Sequence, residues 1–358
     1  MSGFDLQPLP PPIDCESVSI LKVLNKASRA LGELKGEVSK IPNSQILIDT
    51  LALQEAKDSN EIENIITTDD ELYRASVDAH VNATISSGEA KEALNYARAL
   101  RQGLGIIKSK GLLTTNDIIE IQAIISPNHP IRKLPGTVLK NASTEEVVYT
   151  PPQNHLDIVE LLRNLEVYIN DKDFHSIDSL IKMPIIHYQF ESIHPFYDGN
   201  GRTGRLLNIL FLVQQGLLDI PVLYLSSYII KNKSDYYRLL QEVRTKGTWE
   251  QWIVWMLKGV EQTAKETVVV VNKIKQMMDK YKVKIRHDFS FYSHDLINIL
   301  FKHPYTKIDF LERELKIHRN TAALYLNTLS EHGLLTKIKI GKSNYYINDG
   351  LLEILRKR

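Results

Sequence analysis

Twelve consecutive residues concentrate groups that could do chemistry: His194-Pro195-Phe196-Tyr197-Asp198-Gly199-Asn200-Gly201-Arg202-Thr203-Gly204-Arg205. Gly199-Asn200-Gly201 stands directly before a helical pattern. The loop can therefore turn its amide N–H groups toward one point and, with the helix N-terminus, form a nest for phosphates. Asp198 beside that nest is a hard oxygen ligand, suited to Mg²⁺ bridging two phosphates. Arg202 and Arg205, three apart on the first helical turn, would bring two guanidinium forks to one anion. Two arginines at a helix N-terminus oppose the macrodipole, which makes sense where an anion or a carboxylate compensates them. His194, four residues before Asp198, would serve as general base near neutral pH. Phe196 fits a buried anchor for the loop. Singly, a histidine before proline is more often packing, and Gly-Asn-Gly is more often a turn; the combination is what carries the reading.

The elements around this loop read as mostly helical. Leu6–Pro12 is too proline-rich for a helix and should be an extended arm. A helix is expected over Ser17–Leu34, interrupted near Gly36 and Pro42. A second opens at Pro42-Asn43 and runs through Leu47, Leu51 and Ala56. A third starts at Thr68 or Asp69, and a fourth at Ser87 carries Ala93, Tyr96, Ala97 and Leu100 on one face. Leu134–Leu139 and Val147–Thr150 are β-prone and predict a hairpin. Helical periodicity returns at Leu156–Asn170, Ser176–Glu191 and Arg202–Gln215, with Gly216 as the C-terminal stop. Trp249, Trp252 and Trp255 share one helix face and read as core. Thr263–Lys284 lacks Gly and Pro and predicts a connecting helix. Beyond it, helices Tyr305–Leu315 and Arg319–Glu331 flank a Lys316-Ile317-His318 turn. Strands Leu335–Ile340 and Asn344–Ile347 follow around Gly341, which is the order of a winged helix-turn-helix.

Composition narrows the possibilities. With 358 residues, 43% hydrophobic and 24% charged, the chain suits two globular units rather than disorder. The net charge of +1 gives no chain-wide attraction to nucleic acid or anionic membrane. Cys15 is the only cysteine, which excludes an intrachain disulfide and a cysteine-based zinc cluster. No apolar run approaches a membrane span, and Met1–Glu16 does not read as a secretory signal, so a cytoplasmic location is expected.

The twelve-residue stretch resembles the Fic-domain signature, His-Pro-Phe-x-(Asp/Glu)-Gly-Asn-Gly-Arg-x-x-Arg, which lies between two helices of a helical core. Pro8–Pro12, Ala56–Asn64, Gly136–Pro152 and Trp249–Trp252 are similar to parts of the long bacterial Fic proteins with an N-terminal inhibitory helix. The fold implied is mainly α: a Fic-type helical bundle with a small β-hairpin flap, plus a C-terminal winged helix-turn-helix. Its divisions would be an N-terminal helical region 1–110 with the inhibitory helix near 50–65, a core 111–262, a connecting helix 263–289 and a winged helix 290–358. The activity implied is transfer of AMP from ATP to a Ser, Thr or Tyr hydroxyl of a protein, including the chain itself. By resemblance His194 is the base, Asp198 holds Mg²⁺, and Gly199, Asn200 and Gly201 form the nest. Arg202 and Arg205 pair the β- and γ-phosphates, with Thr203 and Gly204 in the same ATP-binding turn. Tyr236, with Tyr237, resembles the adenine-side tyrosines. Gly201 separates this chain from the Doc branch, which typically has Lys there.

Ser59-Asn60-Glu61-Ile62-Glu63-Asn64 resembles the family's inhibitory motif, (Ser/Thr)-x-x-x-Glu-(Gly/Asn), in which Glu63 would pair with Arg205 and misplace the γ-phosphate. The 136–152 hairpin would align a target protein by strand pairing, and a homodimer is implied. Residues 290–358 hold 11 Lys+Arg and 7 Asp+Glu, net +4 against −3 for the rest. The expected recognition helix has Arg319 as its one basic residue, so DNA and protein contact remain equal readings for this module. Two other functions remain open: a transcription regulator whose Fic domain senses nucleotide, and an enzyme that removes AMP at the same site.

Overall fold

Ser17, Asn43, Thr114, Asn154 and Asp178 each precede a helix, and each accepts a hydrogen bond from an amide of the first turn that lacks an intrahelical partner. The computed structural model describes residues 5–82, 88–140, 144–171 and 177–357. The N-terminal helices are α1 (Val18–Val38), α2 (Ser44–Ile62), α3 (Asp69–Asn82), α4 (Glu89–Lys110) and α5 (Thr115–Ile125). A short hairpin, β1 (Leu139–Lys140) and β2 (Val147–Tyr149), leads to α6 (His155–Asn170), α7 (Ser179–Ile193) and α8 (Asn200–Gln214). Then come α9 (Leu225–Lys231), α10 (Lys233–Lys246) and a 40-residue helix α11 (Trp249–Asp288).

Helices α7 and α8 form the centre. Every residue from Leu180 to Ile193 is buried, so α7 is surrounded by protein on all sides. Pro184 sits inside α7, and its carbonyl accepts the Trp252 indole N–H at 2.8 Å, tying α7 to α11. The proline arm is not helical; Asn164 clamps it by accepting from Leu9 N at 2.7 Å and donating to Leu9 O at 3.0 Å.

The last unit contains α12 (His294–Lys302), β3 (Tyr305–Thr306), α13 (Ile308–Leu315), α14 (Arg319–Glu331), β4 (Thr336–Ile340), β5 (Ser343–Ile347) and α15 (Asp349–Arg356). Its sheet has the order β3-β5-β4, all antiparallel. Lys316 turns the chain between α13 and α14 with φ 54°, and Gly341 turns the β4–β5 wing with φ 58°. This is the winged helix-turn-helix order. The unit docks on α3: Lys307 pairs with Asp78 at 3.0 Å and Arg356 with Asp70 at 2.9 Å, and Tyr345 Oη donates to Asp78 at 2.8 Å.

Several expectations need correction. Helix α1 passes Gly36 and ends at Val38, because buried Leu34 and Val38 outweigh a glycine cost of about 1 kcal/mol. The hairpin strands are two and three residues long, and Leu134–Val138 is not strand; a register shift at Leu139/Lys140 limits the pairing. Tyr305 and Thr306 are a strand, and α13 starts only at Ile308. Helix α11 runs unbroken across the expected 262/263 division, so Trp249–Trp255 and the connecting helix are one element. Helices α5, α9, α10, α12 and α15 had no counterpart in the sequence reading. Ser87 and Ser176, expected helix starts, lie outside the described residues.

Candidate active site

The signature loop joins two buried helices, and its shape is set from both ends. His194 closes α7 in the left-handed region, φ 47° and ψ 58°, a strained conformation for a residue with a side chain. Arg132, wholly buried, locks it there: Nε donates to His194 O at 2.7 Å, and the Arg132 amide donates to Pro195 O at 2.8 Å. Phe196 is fully buried, as expected of an anchor. The Asn200 side chain accepts from Phe196 N at 2.9 Å and donates to Phe196 O at 2.8 Å, closing the loop on itself. Gly199 then starts α8 at φ 79°, and no side chain caps that helix. The first amides of α8 consequently have no partner within their own helix, which makes the turn an anion nest.

The side chains divide into two groups rather than one. Arg202 is buried and lies between two carboxylates, Glu92 of α4 and Asp198, the latter at 3.1 Å. Arg205 is buried beneath α2: Nε donates to Ser59 Oγ at 2.9 Å, and Nη2 donates to Ser59 O at 2.9 Å and to Glu63 Oε1 at 2.8 Å. The expected pairing of Glu63 with Arg205 is therefore present. The expected convergence of both arginines on one anion is not, because the two terminal nitrogens of Arg202 are already held by Glu92 and Asp198. Thr203 and Gly204 are buried, and a Cβ on Gly204 would overlap the Glu191 carboxyl, so Gly204 serves helix packing. A Cβ on Gly201 would overlap the Glu63 carboxylate and crowd Arg205 Nη1, so this glycine leaves room for the ion pair.

Tyr236 requires correction: its ring is buried among Trp252, Trp255 and Tyr237, and its hydroxyl meets His187 Nε2 at 2.8 Å. The adjacent Tyr237 is 46% exposed and is the tyrosine with surface to offer a ligand.

Electrostatics sharpen the roles. Burial, then the Arg132 charge, push His194 down to about 4, partly opposed by Glu63, so the imidazole is neutral at pH 7 and free to take a proton. Burial raises the Asp198 carboxyl, but Ser126, Arg202 and the Gly199 amide outweigh it and hold the group below the usual range. Arg205 is held more firmly charged than usual despite its burial, because Glu63 faces it. Glu191, three residues before His194, is pushed up to about 7 by burial.

Sequence reading missed Arg132, Glu92, Ser126 and His129. Ser126 Oγ donates to Asp198 Oδ2, and His129 Nδ1 lies 2.9 Å from the same Oγ. No local pattern marks them, since they reach the loop from 62 to 110 residues away. The residues fit Mg²⁺: Asp198 is ionised and half-exposed beside an uncapped helix N-terminus. Among the described residues no cluster of three acids, histidines or cysteines exists. That suits an ion taking one carboxylate plus substrate phosphates.

No helix among the described residues is long and apolar enough to cross a membrane. Residues 21–105 match the Fic/DOC family N-terminal model and 112–212 the Fic/DOC family model, while 277–351 match the C-terminal domain of SoFic-like protein adenylyltransferases. The chain is 26% identical over 193 residues to protein adenylyltransferase fic-1 of Caenorhabditis elegans, covering 47% of this chain and 37% of that one. It is 26% identical over 200 residues to a probable protein adenylyltransferase of Aquifex aeolicus, covering 54% and 56%. The chain thus spans roughly a third to a half of these relatives' length. Its fold resembles the crystal structure of a Fic family protein from Desulfovibrio desulfuricans, TM-score 0.57 at 19% identity, over 95% of this chain and 98% of that one. It also resembles Fic-1 of C. elegans, TM-score 0.51 at 21% identity, over 70% and 72%. The motif loop between two buried helices, the Fic/DOC match that contains it, the family's N-terminal match before it and the shared fold agree: this chain belongs to the Fic/DOC family.

Proposed function

We propose that the chain is a protein adenylyltransferase that moves AMP from ATP to a Ser, Thr or Tyr hydroxyl of a protein, and that Glu63 holds it inactive. The observation that carries the reading is the Arg205 guanidinium: buried on the second turn of α8, at the end of a complete His194–Arg205 motif, yet paired with a carboxylate from another helix. A buried cation at a phosphate nest has an anion as its natural partner, and Glu63 takes that position.

In the reaction, neutral His194 takes the proton of the target hydroxyl, whose oxygen attacks the α-phosphorus. The bond from that phosphorus to the oxygen bridging to the β-phosphate breaks, and pyrophosphate leaves. The α8 amides receive phosphate oxygens, and Arg205, once Glu63 withdraws, pairs with the γ-phosphate. Asp198 would hold Mg²⁺, which when bound neutralises charge on the phosphates. Tyr237 borders the space for the base. The 139–149 hairpin would receive the target segment by main-chain pairing; Val147 and Val148 are exposed there. A dimer and a cytoplasmic setting belong to the same reading.

For residues 290–358 the charge arrangement favours a protein-facing role over DNA. Arg319 is bound to Asp309 of α13, Lys337 donates to Asn327, and Lys307 and Arg356 are committed to α3. Among the described residues, the exposed cations left for phosphates are Lys316 of the turn and Lys339 and Lys342 of the wing, none of them on the recognition helix.

The test is incubation of the chain with α-³²P-ATP and Mg²⁺, with and without candidate target proteins. Label on protein is expected for the parental chain and none for His194→Ala with the fold intact. Equal label in both would overturn the assignment. Release of AMP from a modified protein, faster with Glu63 than without, would instead establish the reverse reaction.

A further inference from the structure

We infer that Ser126, steadied by His129, is a positioning residue that fixes which oxygen of Asp198 is presented to a divalent cation. The inference rests on reading Asp198 as the metal ligand.

Proton counting sets the orientation. A carboxylate oxygen accepts, so the single proton of the Ser126 hydroxyl goes to Asp198 Oδ2. His129 Nδ1 lies 2.9 Å from the same Oγ, and with that hydroxyl proton spent the imidazole must be the donor there. The chain of donation therefore runs one way, from His129 through Ser126 to Asp198.

The end of α5 grips the loop at further points. Ser126 is buried at the C-cap of α5, and its amide donates to Gln122 O at 2.8 Å. Gln122 Nε2 donates to Asp198 O at 2.9 Å. A Cβ on Gly199 would lie 3.1 Å from Ser126 Cβ, so backbone and carboxylate are seated on one helix end. Arg202 shares Oδ2 at 3.1 Å but is drawn the other way by Glu92. Both side-chain donors thus load Oδ2, and Oδ1 is the oxygen neither engages. Mg²⁺ demands near-ideal octahedral geometry at roughly 2.0–2.1 Å, so a carboxylate free to rotate is a poorer ligand.

The test needs no turnover. Mn²⁺ binding to the full chain with ADP is followed by electron paramagnetic resonance, and ADP binding with EDTA by calorimetry. Loss of an outer-shell partner typically costs a metal site about 10- to 100-fold in affinity. Ser126→Ala is expected to weaken Mn²⁺ at least about 10-fold while ADP affinity in EDTA stays parental. His129→Ala, at an exposed position, should show a smaller loss in Mn²⁺ alone. Parental Mn²⁺ affinity in Ser126→Ala would overturn the positioning role, and equal losses with and without metal would mean Ser126 only holds the loop's shape. If the parental chain itself takes up no Mn²⁺ with ADP, the metal role of Asp198 fails and this inference with it.

Discussion

Replacing Glu63 with glycine should raise the rate of label incorporation by about 10- to 100-fold. The contact removed is one charge-assisted hydrogen bond of 2.8 Å between Arg205 Nη2 and Glu63 Oε1. Full Coulomb attraction at about 4 Å and an effective dielectric near 20 is about 4 kcal/mol, and the net worth of hydrogen bonds to charged groups is about 1.5–3 kcal/mol. The Glu63 side chain is 36% exposed while Arg205 is buried, so the lower range applies. About 2 kcal/mol is about 30-fold in the share of molecules whose Arg205 is free for a phosphate. Glycine is tolerable here because Glu63 sits at the C-cap of α2, where it breaks no helix interior, and Asn64 already takes φ 63°. The Ser59 bonds to Arg205 survive the change, so the guanidinium stays in place. Rates are read from α-³²P-ATP time courses under single-turnover conditions, and ATP affinity by calorimetry. Affinity should move much less than rate. Arg205→Ala should cancel the gain, since both changes act on one interaction and cannot add. An unchanged rate in Glu63→Gly would refute the brake; a lower rate would mean that Glu63 works in the reaction.

Three further outcomes follow from the same contacts. Because His194 is pushed down to about 4, the log of kcat/KM in the Glu63→Gly background should stay flat from pH 8 to about 5 and fall only below that; a limb near 6.5 would refute an imidazole kept neutral by burial. Gly201→Ala introduces a methyl where the Glu63 carboxylate lies and against Arg205 Nη1, so in the Glu63→Gly background, with the carboxylate gone, it should lower labelling through Arg205 alone; unchanged labelling there would refute this contact. Lys307→Glu should loosen the winged helix from α3 and accelerate hydrogen exchange there, and Asp78→Lys in the same chain should restore protection; unchanged exchange in the single variant would show that this pair does not hold the interface.

What could be read from sequence, and what could not, follows from how each feature is encoded. The loop was legible because the motif is contiguous: nest, carboxylate, base and both arginines fall within twelve residues, and Asn200 and Phe196 close the loop locally. Glu63 was legible by its motif, and its contact with Arg205 spans 142 positions. Arg132, Glu92 and Ser126 have no such signature, since an isolated Arg, Glu or Ser looks the same whether it faces water or a loop dozens of residues away. The separate fates of Arg202 and Arg205 show why this matters. Their i, i+3 spacing puts both on one turn, but Glu92 and Asp198 enclose the first while Ser59 and Glu63 enclose the second. Helix spacing fixes where side chains begin; tertiary partners decide where their charges are spent. The same holds for the two tyrosines, where adjacency put Tyr236 and Tyr237 together in the reading. In the fold one faces inward to His187 and the other stays at the surface. The N-terminal helices supply the remaining step. Asp69 receives Lys57 of α2 at 2.8 Å, and Asp70 and Asp78 of the same α3 receive the winged helix. The helix that carries Glu63 is therefore held from behind by a domain far away in sequence, a link that no local motif around Glu63 encodes.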